Sequence, residues 1–330
     1  LLQEIRERLG RHWQPDDVTI RAGTALRLDH LERVDWANAV ALILPSADME
    51  TGRADPDTRT IKTLLTLASA ARKSGARLPP IVAELRDSRQ TPSAADAYPG
   101  PMEVVESDSV LARLMAQTIR NPALSHVYTE LLTHSVGSEL YVRLFPAFEG
   151  HSFGAIEAAF DGAVPIGLVN PGGPPLLNPP RDLLLAPDGM VVVLAETSTK
   201  ADPTLPVGLP VVSSRQSREP VQRHIRLAIF GWSERVVSLI GELDRYESTT
   251  FEVDVVSIVP RGERQQLFER LDVVTKRVKV ELVETDYGVP GRIAALNPAH
   301  WDHVVFVAND WLEREEDADA RSLLGALLLR

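Results

Sequence analysis

One structural step is written twice in this chain. Trp36 opens the apolar run WANAVALILPSADME, and DPDTRTIKTLLTL follows at residues 55–67. Trp301 opens WDHVVFVANDWLE, and DADARSLLGALLL follows at 317–329. Each copy is a Trp-led strand, an acidic loop, the pattern Asp-x-Asp-x-Arg-[Thr/Ser], and then an apolar helix. A short strand apolar on both faces, followed by a helix, is the repeating step of a parallel α/β sheet. Connections between such strands are right-handed crossovers, which restricts the topology to a few arrangements. The two copies therefore read as equivalent steps of two tandem units.

The remaining pattern fills in those units. Leu1 to Leu9 reads as a helix, Val18 to Arg21 as a short strand and LRLDHLERV as a short helix. Val40 to Leu44 reads as a strand buried on both faces. Asp55 caps a helix running to about Arg72, with Pro56 in its favoured first position. PPIVAEL (79–85) and MEVVE (102–106) are strands, separated by the turn-rich TPSAADAYPG. Asp108 caps the helix DSVLARLMAQTIR, and PALSHVYTELLTH is a further helix. SELYVRLFPA, AVPIGLV and DLLLAPDGMVVVLAE are strands set between Gly/Pro turns, as in a small α+β lobe. Residues 197–220 are rich in Pro, Ser and Thr and read as a linker. HIRLAIFGWSERVVSLIGEL then begins strand, glycine turn and helix again. The expected fold class is α/β, with two Rossmann-like parallel-sheet units in tandem and a small α+β lobe after the first. The expected boundaries are 1–137, 138–196, a linker at 197–222, and 223–330.

Composition removes several functions. The net charge of −11 argues against a nucleic-acid partner, which needs a basic face for phosphates. The absence of cysteine excludes disulfides and thiolate metal sites. At 330 residues and 44% hydrophobic content, two packed domains are affordable. No apolar run approaches the length of a membrane helix, and no signal peptide is visible, so the chain is expected to be soluble. Its start inside a helix and its end on LLGALLLR predict a piece of a longer protein, with strands missing before the first unit and the second unit truncated.

A dinucleotide site needs Gly-x-Gly-x-x-Gly after the first strand and an acid at the end of the second. The second unit offers Gly231-Trp232-Ser233-Glu234-Arg235-Val236, and its second strand ends in Ile258-Val259-Pro260. Only the first glycine is present, so no NAD is expected. The acidic loops are the alternative. The first holds Asp48, Glu50, Asp55 and Asp57; the second holds Asp310, Glu313, Glu315, Glu316, Asp317 and Asp319. Hard cations such as Ca2+ take several oxygens from loops of this kind. Asp at a helix start also caps free N–H groups, which accounts equally for Asp55, Asp57, Asp317 and Asp319. Glu84 and Asp87 follow a strand at the edge where open α/β sheets hold ligands, and are secondary metal candidates. Arg59 and Arg321 follow the two Asp pairs and read as ion-pair partners.

Gly150-His151-Ser152-Phe153-Gly154 matches the nucleophile elbow Gly-x-Ser-x-Gly. It falls in the small lobe, and the later His224, His300 and His303 lie in another unit, so no hydrolase and no catalytic residue is expected. His126 and His134 are eight apart on one helix and read as structural. The run SLLGALLL reads as core or as a packing face.

The order of these pieces resembles the cytosolic region of the CASTOR/POLLUX-type ion channel family. The likeness is carried by VTIRAGTALRLDHLERVDWANAVALIL, by VAELRD with VVESDSVLARLMAQTIRNPALSHVYTELL, by FGWSERVVSLIGELD, and by HVVFVANDWLEREEDADARSLLGALLLR. Those channels carry two tandem RCK domains, regulators of potassium conductance, after their pore. The resemblance implies a non-enzymatic gating-ring module on the cytoplasmic face of a membrane. It implies as partners the pore-forming part of the same protein and other subunits, four in the full channel. It also implies a calcium-responsive ring. The alternative is a nucleotide-binding Rossmann-type sensor or enzyme of the TrkA/RCK-like class.

Overall fold

A computed structural model describes residues 2–10, 14, 18–46, 55–133, 137–204, 222–308 and 315–329. The first α/β part contains α1 (Leu2–Leu9), α2 (Leu28–Glu32), β1 (Leu42–Leu44), α3 (Pro56–Ser74), β2 (Ile81–Leu85), α4 (Thr91–Ala97), β3 (Met102–Glu106) and α5 (Ser107–Arg120). The small lobe follows with α6 (Leu124–Leu132), β4 (Glu139–Leu144), α7 (Phe153–Glu157), β5 (Val164–Val169), β6 (Pro175–Leu177) and β7 (Met190–Ala195). The second α/β part contains β8 (Arg223–Phe230), α8 (Glu234–Leu243), β9 (Thr249–Ser257), α9 (Arg261–Arg270), β10 (Val278–Glu284), α10 (Pro290–Ala294), β11 (His303–Phe306) and α11 (Glu315–Leu328).

The fold is α/β with two Rossmann-like parallel sheets. In the first sheet the order is β1-β2-β3, and every pair is parallel. In the second the order is β10-β9-β8-β11, again all parallel. The strand order reverses between β8 and β11, which makes a switch point where open sheets leave a crevice. The small lobe is antiparallel, in the order β4-β7-β5-β6.

Helix α3 shows why sequence and structure agree so well there. Asp55 accepts the N–H of Thr58 at 3.0 Å, Pro56 stands in the first turn, and Gly75 closes the end with φ +73°. That left-handed cap suits glycine, which has no Cβ to clash. Leu64, Leu67 and Ala71 of α3 pack on Ile81, Ala83 and Leu85 of β2. The opposite face of this sheet is open: Ile43 is 74% exposed and Val105 43%. The expectation that this strand is buried on both faces is therefore corrected. Among the described residues, helices cover one side of the β1–β3 sheet.

Two local expectations also change. Residues Val18–Arg21 form no strand. The stretch TPSAADAYPG is not simply a turn, because Thr91–Ala97 forms α4 with Pro92 in the first turn. Proline is tolerated there since that N–H has no helical partner. The alanines drive the helix: Ala94 and Ala97 are buried beside Tyr98, whose hydroxyl donates to the Pro79 carbonyl. Burial pushes the Tyr98 hydroxyl pKa up to about 12.

Contacts divide the chain into Leu1–Ala116 with Gln222–Arg330, and Gln117–Val221. The division falls within α5 and places α6 with the small lobe, where it packs on β4. Residues 197–204 also close on that lobe. Ala201 is fully buried in its core, and Thr204 N–H donates to the Ala159 carbonyl at 3.0 Å. The rest of the expected linker, 205–221, lies outside the described residues. The lobe's core is aromatic, with Phe145, Phe148 and Phe160 rings 5.4–5.9 Å apart.

In the second α/β part α8 buries Val236, Val237, Leu239, Ile240 and Leu243 against the sheet. The opposite face packs Phe230, Tyr287 and Phe306, with Phe230 and Phe306 stacked at 5.1 Å. Gly325 of α11 meets that cluster. A Cβ built there would lie 2.6 Å from Phe306 and 2.9 Å from Tyr287. Glycine inside a helix normally weakens it, and here close approach to two rings requires it. Gly325→Val is expected to destabilise the fold by about 2–3 kcal/mol through overpacking. Thermal unfolding measures it; an unchanged Tm would show that α11 does not seat on these rings.

Candidate functional site

The first candidate region is the carboxyl end of the β1–β3 sheet. β2 ends at Leu85, and the chain turns across the start of α3. Asp57, 2% exposed, stands in the first turn of that helix. Its two carboxylate oxygens accept the backbone N–H groups of Arg86 and Asp87, each at 2.9 Å. Burial holds the Asp57 carboxyl above the usual carboxylate range, against the pull of those two N–H donors. Asp87 is the N-cap of the next turn and is held by Arg89, at 2.7 Å between Nη2 and Oδ2. The Arg89 guanidinium keeps the Asp87 carboxyl below its ordinary range. Glu84 accepts the Ser46 N–H at 2.9 Å. Asp55 caps α3.

These acids lie together at one sheet edge, but each already serves a protein donor. Among the described residues no group of three or more acids and histidines is arranged to hold a metal ion. Asp48, Glu50, Asp310 and Glu313 lie outside the described residues. Asp317 and Asp319 fall in the first turns of α11. Arg321 pairs through Nη2 with Asp286 and lies 5.0 Å from the Tyr287 ring centroid. Arg59 donates its backbone N–H to the Asp55 carbonyl.

The second region is the carboxyl end of β8 and β9. Gly231 has φ +108° and donates its N–H to the Val256 carbonyl at 3.0 Å. Trp232 folds down rather than leaving bare backbone: it is 6% exposed and its ring centroid lies 5.9 Å from that of Phe268. Ser233 and Val236 stand where a dinucleotide fingerprint has its second and third glycines, so side chains fill the approach a pyrophosphate would use.

Behind Trp232 lies Arg264, fully buried. Its Nη1 donates to the Val255 carbonyl at 2.8 Å, while Nε and Nη2 find no hydrogen-bond partner among the described residues. The guanidinium carbon sits 5.9 Å from the Trp232 ring centroid, and burial lowers its pKa. Nothing in the spacing of RGERQQLFER marks this arginine as internal. Its helix alternates polar residues so evenly that no apolar stripe singles out one face.

The third region joins the two α/β parts. Asp108, in the first turn of α5, meets Arg235, in the first turn of α8, at 2.7 Å. The acid side chain is 11% exposed and the arginine 30%. Around them Arg113 approaches Glu242 at 4.0 Å, Arg245 pairs with Glu242 at 2.9 Å and Arg270 with Glu234 at 2.9 Å. A polar cavity of about 280 Å³ lies along this seam, reaching Arg86, Arg89 and Asp108 on one side and Glu234 and Glu242 on the other. The sequence pattern offered Asp108 only as a helix cap. A signal was present in Arg235: a cation in a helix's first turn opposes the macrodipole and calls for an acidic partner.

The Ser152 pattern is structural. Ser152 is the N-cap of α7, and its hydroxyl accepts the Ala155 N–H at 3.4 Å. Ser152→Ala is expected to cost about 1 kcal/mol through loss of the cap and to leave any ester turnover unchanged; loss of genuine turnover would restore a nucleophile there.

Comparison with known proteins follows the same lines. Residues 108–208 match the family described as "Castor and Pollux, part of voltage-gated ion channel". The chain is 26% identical over 322 residues to the "Probable ion channel POLLUX" of Oryza sativa subsp. japonica, covering 95% of this chain and 32% of that protein. It is 27% identical over 325 residues to the "Ion channel CASTOR" of Lotus japonicus, covering 95% and 37%. The chain therefore spans about a third of the length of these curated relatives. Among solved structures, the human SLO3 gating ring superposes with a TM-score of 0.64 at 15% identity, covering 93% of this chain and 62% of that one. At that identity the likeness shows the fold alone. The likeness to CASTOR/POLLUX-type channels holds along nearly the whole chain.

Proposed function

We propose that this chain, a relative of the CASTOR and POLLUX ion channels over 95% of its length, is the ligand-sensing gating-ring region of a cation channel of that type. The observation that carries this is the joint one: two Rossmann-like sheets in tandem, on a chain whose similarity to those channels runs through both. No helix among the described residues is long and apolar enough to cross a membrane. In this proposal the pore belongs to another part of the full protein, and the chain acts on it from the cytoplasmic face as one subunit of a homo-oligomer. The work is then regulatory rather than catalytic. A ligand that binds one ring shape better than another shifts the population toward that shape by its differential affinity.

The ligand proposed is a divalent cation such as Ca2+. The acidic loop after β11, with its Asp310, Glu313, Asp317 and Asp319, is the favoured place. The first loop's Asp55, Asp57, Glu84 and Asp87 already accept protein donors, and a cation there would have to compete with them. Calorimetric titration of Ca2+ into the chain is expected to give saturable heat, lost in an Asp317→Ala, Asp319→Ala double variant. Absence of heat, or heat the variant retains, would leave those aspartates as helix-start residues alone.

A further inference from the structure

Among the described residues, the two α/β parts share no apolar cluster. The cluster of the first part, from Leu28 to Val104, holds no residue of the second, and the cluster around Phe230 and Tyr287 holds none of the first. Charge crosses between them instead. Asp108 of α5 meets Arg235 of α8 at 2.7 Å, and Arg113 of α5 lies 4.0 Å from Glu242 of α8. Arg89 adds a third link at longer range: Asp87 and, across the seam, the charge of Glu234 hold its guanidinium pKa up. The cavity of about 280 Å³ opens onto Asp108, Glu234, Glu242 and Arg89. A polar space of that size takes several waters. Solvent and counterions therefore reach these pairs, although Asp108 is only 11% and Glu242 17% exposed.

Most of these charges also have a partner on their own side. Glu242 is held by Arg245 at 2.9 Å, closer than Arg113. Glu234 is held by Arg270 at 2.9 Å, and Arg89 by Asp87 at 2.7 Å. When the seam parts, these three keep their near partners. Asp108 and Arg235 lose each other but regain water, which offsets the loss. The joined and parted arrangements therefore differ by a few partly solvated ion pairs, which are weak one by one.

We propose that the seam between the α/β parts is a joint set by ionic strength, closed in dilute salt by the attraction between α5 and α8 and loosened as salt screens it. The screening length falls from about 30 Å at 0.01 M to about 3 Å at 1 M, shorter than the 4.0 Å between Arg113 and Glu242. Geometry sets the order of release. The longer links of Arg113 and Arg89 go first, and Asp108–Arg235, the shortest and least exposed, goes last. Monovalent salt is sufficient, so the joint is independent of the cation loops and of the channel reading.

The test is energy transfer between two dyes. The chain has no cysteine, so introduced ones are labelled alone. Ser88→Cys lies at the cavity on the first part, and Val274→Cys follows Val273 at the cavity on the second; both positions are exposed. Lys73→Cys with Ser93→Cys, both exposed on the first part, is the control pair. With a chelator present, raising NaCl from about 0.01 M to about 1 M is expected to lower transfer across the seam and to leave the control pair unchanged. KCl at equal ionic strength is expected to give the same curve. The Asp108→Asn, Glu242→Gln variant is expected to show in dilute salt the transfer that the wild-type chain reaches only in concentrated salt. The control pair, carried on that variant, verifies its fold. Transfer across the seam that salt leaves unchanged overturns the proposal. So does a response that differs between NaCl and KCl, or one of full size in the double variant.

Discussion

Asp57→Ala is expected to lower the stability of the folded chain by about 3 kcal/mol, the largest effect of any acid in the first loop. Two backbone N–H groups, those of Arg86 and Asp87, lose the carboxylate that accepts them at a place where Asp57 is 2% exposed. Leaving a buried donor unsatisfied costs about 1–3 kcal/mol each. Asp57→Asn is the sharper variant. Its amide keeps one acceptor oxygen but turns an NH2 toward the other N–H, so about half the loss is expected. The pH dependence carries its own sign. Burial raises the folded-state pKa of Asp57 above its unfolded value, so the folded state binds the proton more readily. The wild-type chain therefore loses stability, relative to the non-titrating Asn variant, as pH rises through the raised value. The gap between the two proteins narrows on going from acid toward neutral pH. Urea unfolding across that range measures both effects. A gap that widens with pH, or an alanine variant as stable as wild type, would remove Asp57 from its place as the clip between α3 and the end of β2.

The second large effect belongs to the seam. Asp108→Ala is expected to cost about 2 kcal/mol, because it leaves Arg235 poorly solvated and facing the positive end of its own helix. The side chains are 11% and 30% exposed and 2.7 Å apart, so the pair is neither a solvated surface bridge nor fully dry. A double-mutant cycle with Arg235→Ala separates two roles. If Asp108 holds Arg235 across the joint, the double variant recovers part of the loss, with a coupling of about 1–2 kcal/mol. If Asp108 only serves the start of α5, the two costs add. Additivity would also remove the Asp108–Arg235 pair as a link between the two α/β parts.

What proved legible and what did not follow from different physics. Helix α3 was readable at its start because cap and first-turn proline are local signals in Asp55 and Pro56, and its end, expected at about Arg72, lies at Ser74, where Gly75 closes it. Strands β2, β3, β8, β9 and β10 were readable because each is a compact apolar or alternating run between turn residues. Helix α4 was not, since threonine, proline and serine at its start resemble a turn, and only the burial of Ala94, Ala97 and Tyr98 shows why it winds. The strand expected at Val18–Arg21 failed because β-favouring residues make no strand without a partner to pair with.

The candidate site divides in the same way. That Asp55 and Asp57 stand at a helix start, and that Glu84 and Asp87 follow a strand end, followed from local pattern alone. What each carboxylate does there did not: Asp57 reaches 29 and 30 residues along the chain to its partners, a distance no local pattern encodes. Arg264 is the extreme case, an arginine in a polar helix that is fully buried behind Trp232.

The sequence by itself determined the fold class, the tandem plan, the channel-type likeness and the defect in the dinucleotide fingerprint, because periodicity, caps and glycine positions are short-range properties of the chain. Only the tertiary structure decided which acids are already engaged, that Asp108 and Arg235 meet, and that Trp232 packs down beside Phe268. Those outcomes depend on contacts between residues far apart in the chain, where burial and hydrogen-bond satisfaction settle what a side chain can still offer a ligand.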